Sequence, residues 1–363
     1  MDSEDIEVSP DFERFRTALL CGEPDRVPLA ELKVEDEIKS EFLGRPIPDP
    51  RLDPEGYIRT EIEFAARAGY DYIRVGVISP LPFPGHPMEG KYGLDGSIRR
   101  RTWAEQKSGL ITSEEELERF RFPQPDEFDF TLLETASRLV PPQMKILTAI
   151  KGGGIYERTW MMMGFETFCL NLIERPALVE KVFRKIGELY LEVYRMAAEF
   201  PNVAGFWIGD DLAYTEGLML SPDVFRRNLF PFYEAVGDMC RRKDMVFIFH
   251  SDGRLWEVME DLIAIGINAL HPIEPKAMDI VEVRGRTRGR LCLIGNIDLG
   301  YTLTRGTPAE VEEEVKERIK VLAPGGGYCV SSSNSVTEYV PLENYNAMRL
   351  ATLRYGRYPI SLD

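Results

Sequence analysis

Met245-Val246-Phe247-Ile248-Phe249-His250-Ser251-Asp252-Gly253 is the stretch whose reading decides the fold. A continuous apolar run, rich in aromatic and β-branched residues, stops on a histidine, a serine, an acid and a glycine. Such a run reads as a strand covered on both faces, opening into a turn that carries polar chemistry. Twenty-four positions after His250 the pattern returns, with Glu274 closing the segment Leu270-His271-Pro272-Ile273-Glu274-Pro275. A His, an Asp and a Glu placed just past successive strand ends are residue types that hold a hard or borderline metal or do acid/base work.

Working outward, the same unit recurs along the whole chain. Eight apolar runs read as buried parallel strands: Val27 to Leu32, Tyr70 to Val77, Lys145 to Ile150, Val203 to Ile208, Met245 to Phe249, Ile267 to Pro272, Leu291 to Ile297 and Gly327 to Ser331. Helical patterns separate them. Pro176 to Phe200 places Leu178, Val182, Ile186, Leu189 and Val193 on one stripe, and Thr307-Pro308-Ala309-Glu310 is a capping box that starts a helix running to Leu322. Eight strand-plus-helix units predict an α/β fold, a (β/α)8 TIM barrel, with its chemistry at the C-terminal strand ends. At 363 residues the expected organisation is a single domain, 1–363, with an insertion at about 79–125 after the second strand. That insertion begins Ser79-Pro80-Leu81-Pro82-Phe83-Pro84-Gly85 and predicts a hairpin turning at Asp95-Gly96. It reads as part of a lid or wall; a surface decoration or a subunit contact, and with it a homodimer, is the alternative.

The formal net charge of −16, from 60 acidic and 44 basic residues, argues against nucleic acid or an anionic membrane as partner. No stretch reaches the roughly 18 apolar residues of a membrane span. Met1-Asp2-Ser3-Glu4-Asp5 is acidic where a signal peptide is basic, so a cytoplasmic location is expected. Five scattered cysteines without a CxxC pair agree with a reducing compartment, and Cys329 lies nearest the expected mouth.

Taking the strand ends in order gives the mouth its composition. Glu31 follows the first strand, Lys151 the third, Asp210 and Asp211 the fourth, His250 and Asp252 the fifth. Glu274 follows the sixth, Asn296 and Asp298 the seventh, and Ser331 to Asn334 the eighth. Carboxylates crowded into one cleft repel, so some must be protonated or a cation must sit among them. His86 and His271 read less well as ligands: one falls in the Pro-rich insertion, the other in phase with the core. The glycine runs Gly152-Gly153-Gly154 and Gly325-Gly326-Gly327 match no phosphate-binding fingerprint and read as tight turns with close backbone approach.

Arg16-Thr17-Ala18-Leu19, Gly22, Asp25-Arg26-Val27-Pro28, His250-Ser251-Asp252-Gly253, Gly295-Asn296-Ile297-Asp298, Gly325-Gly326-Gly327-Tyr328 and Pro341-Leu342-Glu343-Asn344, in that order, resemble the signatures of the uroporphyrinogen decarboxylase superfamily from Phe12 to Ile360. The resemblance implies a (β/α)8 barrel that is either a decarboxylase or a zinc-dependent methyltransferase working with corrinoids or thiols. True decarboxylases carry an Arg-Gln-Ala-Gly-Arg loop where this chain has Ala30-Glu31-Leu32-Lys33. They also carry an Asp after the second strand and a Gly-His-Gly where Ser333-Asn334-Ser335 stands. A polycarboxylate tetrapyrrole needs those cations, so the methyltransferase branch is the one resembled. Its zinc signature, His-x-Cys with a late Cys, is matched in part. His250 is kept, Asp252 replaces the first Cys, Asn334 falls at the second, and Cys329 comes five residues early. Glu274 stands where similar cobalamin-independent methionine synthases have an acidic ligand.

The resemblance thus implies zinc on His250, Glu274 and Cys329, with Asp252, Glu274 and Asp210 as catalytic groups. Glu31, Lys151, Asp211, Asn296, Asp298 and Asn334 are then the substrate contacts. The expected reaction moves a methyl group from a small methyl ether or methylamine to a corrinoid carried by a partner protein. The alternative is a carboxy-lyase anchoring its substrate on Lys151 or Arg74; a third reading is a non-catalytic binding protein.

Overall fold

The computed structural model describes residues 8–91, 98–104 and 106–362. Seven parallel strands form one sheet in chain order: Tyr72–Ile78, Lys145–Lys151, Val203–Gly209, Val246–His250, Ala269–His271, Cys292–Ile294 and Tyr328–Cys329. Each pairs with the next, and helices fill the connections, as a (β/α)8 barrel requires. The helix Pro176–Ala197 buries Leu178, Val182, Ile186, Leu189 and Val193 as its stripe demands. Pro308–Leu322 starts at the reciprocal Thr307–Glu310 cap.

The first expected strand departs from the ladder pattern. Val27 to Leu32 makes a single parallel bridge, Leu29 with Val330, through Ala30 N–H to Val330 O (2.9 Å) and Val330 N–H to Pro28 O (3.0 Å). Pro28 has no N–H to give, which interrupts regular pairing. Side chains join the other edge. The Tyr72 hydroxyl accepts from Glu31 N–H at 2.8 Å and donates to Glu31 O at 3.0 Å, and Arg74 Nη1 reaches Leu32 O at 3.4 Å. Tyr72 is itself packed inside the barrel against Trp207, which in turn meets His271 edge-on. Tyr72→Phe leaves two buried backbone groups unpaired at this seam. At about 1–3 kcal/mol for an orphaned buried group, denaturant titration should show roughly 2–3 kcal/mol of lost stability. A loss below about 0.5 kcal/mol would mean that the seam is held by packing alone.

In the insertion, Gly85–Lys91 and Ile98–Ala104 pair antiparallel, giving the expected hairpin; its Asp95-Gly96 turn lies outside the described residues. Downstream, the N–H groups of Gly109, Leu110 and Ile111 bond to Met162 and Met163 carbonyls, pinning the insertion to the end of the helix Ile155–Met163. Among the described residues no helix is long and apolar enough to cross a membrane.

Candidate metal centre and active site

Gly209, His250 and His271 stand level on three adjacent strands. The ladder continues one residue into the turns, through Asp210 N–H to His250 O (3.0 Å) and Ser251 N–H to His271 O (3.1 Å). Ser251 Oγ then accepts from Leu212 N–H at 2.9 Å, and Asp211 Oδ1 accepts from Asp252 N–H at 3.0 Å. These bonds draw two acidic loops over one histidine. Ligand atoms of Asp211, His250 and Asp252 lie within 4.8 Å of one another. His250 Nε2 is 3.6 Å from Asp211 Oδ1 and 3.9 Å from Asp252 Oδ1.

The outer contacts fix the cluster from behind. Asn334 Nδ2 donates to Asp252 Oδ2 at 2.7 Å, whereas Asp252 Oδ1 is buried with no hydrogen-bond partner. Burial, and then the carboxylates of Asp211 and Glu274, push Asp252 up to about 7. His250 Nδ1 lies 2.7 Å from His271 Nδ1, and His271 Nε2 lies 3.1 Å from Ser331 Oγ. Burial lowers both histidines, His271 strongly, so the pair is neutral and shares one proton across the Nδ1–Nδ1 contact. Above the cluster is a cavity of about 370 Å³ lined by Glu157, Trp160, Asp211, Tyr214, Met219, Asp252 and Glu274 among others.

Residues 12–355 match the family model described as uroporphyrinogen decarboxylase (URO-D). The chain belongs to the uroporphyrinogen decarboxylase family. Among solved structures it is similar in fold to a methyltransferase from Methanosarcina mazei. That likeness has 19% identity and a TM-score of 0.68, and covers 96% of this chain and 99% of that one. A rutinosidase from Aspergillus niger also aligns, with 10% identity over 89% of this chain and 93% of that one and a TM-score of 0.41. Among curated proteins none matches the chain by sequence.

Against this family background the expected residues sort by position. Asp252 and His250 belong to the cluster, and so does Asp211, expected from the sequence as a substrate contact. Glu274 is adjacent: its Oε2 accepts from Gly253 N–H at 3.2 Å and its charge is felt at Asp252, but it lies outside the tight triad. Cys329 is not at the mouth. It sits two residues before Ser331, fully buried, with its Sγ 4.0 Å from Cys292 Sγ, apart from the cluster, whose third donor is the Asp211 carboxylate. Asp210 points the other way from Asp211. Fully buried, it accepts from Tyr156 N–H (2.9 Å), Glu157 N–H (2.8 Å) and Tyr233 Oη (2.6 Å), and so caps the helix Ile155–Met163. Gly154 makes that approach possible, since a Cβ there would lie 2.3 Å from Asp210 Cβ.

Asn296 is buried and donates to Ile273 O at 2.7 Å, holding a β-branched residue at φ 57° just before Glu274. Asp298 forms a turn, accepting from Gly300 and Tyr301 N–H. With Asn334 and Glu274 it borders a second cavity, of about 410 Å³. Glu31 and Lys151 line a different cavity altogether. Two further groups, His271 and Glu157, flank the cluster. His271 sits in phase with the core as its sequence suggests, yet its ring is what orients His250. Glu157 comes from a helix, where strand-end counting does not look; burial, with Asp211 and Asp210 beside it, raises it well above the usual carboxylate range.

The donor set fits a divalent cation. It offers one imidazole nitrogen and two carboxylates, and a buried Asp252 oxygen that no protein group satisfies. With no thiolate among them, such ligands suit a harder ion or a more acidic zinc than a Cys-rich site does.

Proposed function

We propose that this chain is a methyltransferase that takes a methyl group from a small methyl ether or methylamine and delivers it to a corrinoid on a separate protein. The observation that carries the reading is the Asp211–His250–Asp252 cluster opening into a partly apolar cavity at the barrel mouth. Family membership supports it, as does the absence of the decarboxylase arginines from Ala30-Glu31-Leu32-Lys33. Asp211, His250 and Asp252 would hold a divalent metal, zinc first, which when bound supplies Lewis acidity toward the donor oxygen or nitrogen.

The chain's own groups do the rest. His271 and Ser331 select the tautomer: with His250 Nδ1–H donating to His271 Nδ1 and His271 Nε2–H donating to Ser331 Oγ, His250 Nε2 keeps its lone pair for a ligand role. Asn334 holds Asp252 in place. Trp160 and Met219 exclude water and turn the methyl carbon outward to its acceptor. Glu157, kept protonated in the same cavity, gives its proton to the departing heteroatom.

The test is incubation with a reduced corrinoid protein and a panel of methoxy-aromatics and methylamines, following cobalt absorbance. Methylation by at least one donor is expected. Conversion of uroporphyrinogen to coproporphyrinogen with no methyl transfer would restore the lyase reading.

The cluster also sets a pH dependence. A carboxylate whose folded pKa is raised binds its proton more tightly in the native state, so its contribution is full below the unfolded value and is lost as pH rises through the folded one. Asp252 at about 7 and Glu31, raised to about 8 by burial, therefore make metal-free protein lose stability as pH rises from near 4 to near 8. A metal must displace the Asp252 proton, so zinc affinity should rise through pH 7, with proton release visible by calorimetry in buffers of different ionisation enthalpy. A pH-independent affinity would remove Asp252 from the ligand set.

A further inference from the structure

The cavity lined by Glu31 and Lys151, of about 330 Å³, lies between the first segment, the strand Tyr72–Ile78 and the helix Pro54–Ala68. Its walls are apolar and aromatic, with Val34, Tyr57, Phe64, Tyr70 and Ile73 among them. Its charges do not cancel. Of the acids in the lining, Glu61 is paired with Lys39 at 2.6 Å, and Asp36 also reaches Lys39, at 3.3 Å. Glu31 is turned away onto Ser332, accepting from its N–H at 2.6 Å and its hydroxyl at 2.8 Å. Of the cations, Lys39 is thereby satisfied and Lys33 pairs with Glu35 at 3.4 Å. Arg74 and Lys151 are left.

Arg74 spends Nη1 and Nη2 on the carbonyls of Leu32 and Trp207, but its Nε is buried with no partner. The groups that stabilise its charge are the phenols of Tyr72 and Tyr194, not a carboxylate, and burial draws it down to about 10. A buried guanidinium left without an anion is costly. Among the described residues the Lys151 ammonium has no ion pair or hydrogen bond of its own; the acids whose charge reaches it, Glu61 and Asp36, are both held on Lys39. The Lys151 stem folds back across Gly76, where a Cβ would come within 2.5 Å of Lys151 Cγ, so glycine at this point of the strand is what lets the ammonium turn over the cavity.

We infer that this cavity is a binding site for a small carboxylic acid with an apolar body, its carboxylate between Arg74 and Lys151 and its ring or chain against Tyr57 and Phe64. The inference goes beyond the methyl-transfer reading and does not need it. The volume is that of a small-ligand pocket, and the guanidinium and ammonium supply charge-assisted donors to the two carboxylate oxygens. The apolar walls favour an organic acid over inorganic phosphate.

Calorimetric titration of the metal-free full chain with benzoate, benzamide and inorganic phosphate tests it. Saturable benzoate binding is expected, at least tenfold tighter than benzamide or phosphate, and weakened at least tenfold in Arg74→Met and in Lys151→Gln. The lysine variant lies at an exposed strand end and keeps the test open if the buried arginine variant does not fold. No benzoate binding, equal binding of benzamide, or binding unchanged in Lys151→Gln would overturn the proposal, and a preference for phosphate would replace the carboxylic acid by a phosphate ligand. None of these outcomes touches the methyl-transfer assay.

Discussion

Alanine at His250 is expected to strip the stoichiometric divalent metal and to lower methyl transfer at least a hundredfold, while the chain still unfolds cooperatively. His250 Nε2 is the nitrogen donor of the cluster, and the two carboxylates beside it repel each other once the cation is gone. Asp252→Asn probes the same site without changing shape. It removes one charge, and it replaces a buried oxygen with no protein partner by a neutral amide beside Asn334. Asp252 is one of the three proposed metal ligands and should take the ion with it, so a loss of roughly a hundredfold or more in rate is expected together with the loss of bound metal. Glu274→Gln, which alters a neighbour rather than a triad member, should cost less than either. Metal retained at full stoichiometry in His250→Ala, measured by elemental analysis, would remove the histidine from the ligand set.

The second large effect belongs to stability. Asp210→Ala leaves the Tyr233 hydroxyl and two N–H groups at the start of Ile155–Met163 without their acceptor, the hydroxyl and the Tyr156 N–H buried and the Glu157 N–H partly so. Orphaned buried groups and a lost cap together predict a loss of about 3–4 kcal/mol by denaturant titration. Metal affinity per folded molecule should change only a few-fold, because Asp210 faces the helix and not the cluster. The reverse pattern, wild-type stability with activity abolished, would return Asp210 to the catalytic group that the family resemblance implies.

The contrast between Asp210 and Asp211 shows where the sequence stops being legible. Runs such as Met245 to Phe249 announce their strands because burial on both faces leaves no polar position, and the stripe of Pro176–Ala197 announces its helix for a similar reason. The barrel follows from their number and order, and the mouth from their ends. Which of two adjacent acids turns inward is different: it depends on the Gly154 backbone standing opposite Asp210, a contact between segments far apart in the chain. Cys329 differs by depth: it lies two residues before Ser331 on the same strand, which puts the thiol one layer down the barrel. His271 is in phase with the core and buried there; its contact with His250 runs through a ring nitrogen, which the pattern of apolar positions does not reveal. Pro28 was in plain view and marks where the first segment fails to form a ladder.

The most direct measurement is metal analysis of the protein purified without chelator, coupled to X-ray absorption at the metal edge. About one divalent ion per chain, with nitrogen and oxygen in its coordination shell and none remaining in Asp252→Asn or His250→Ala, is the expected result. A protein with no bound metal that still transfers methyl groups, or an ion whose shell contains sulfur, would contradict the assignment of Asp211, His250 and Asp252 as the centre of the site.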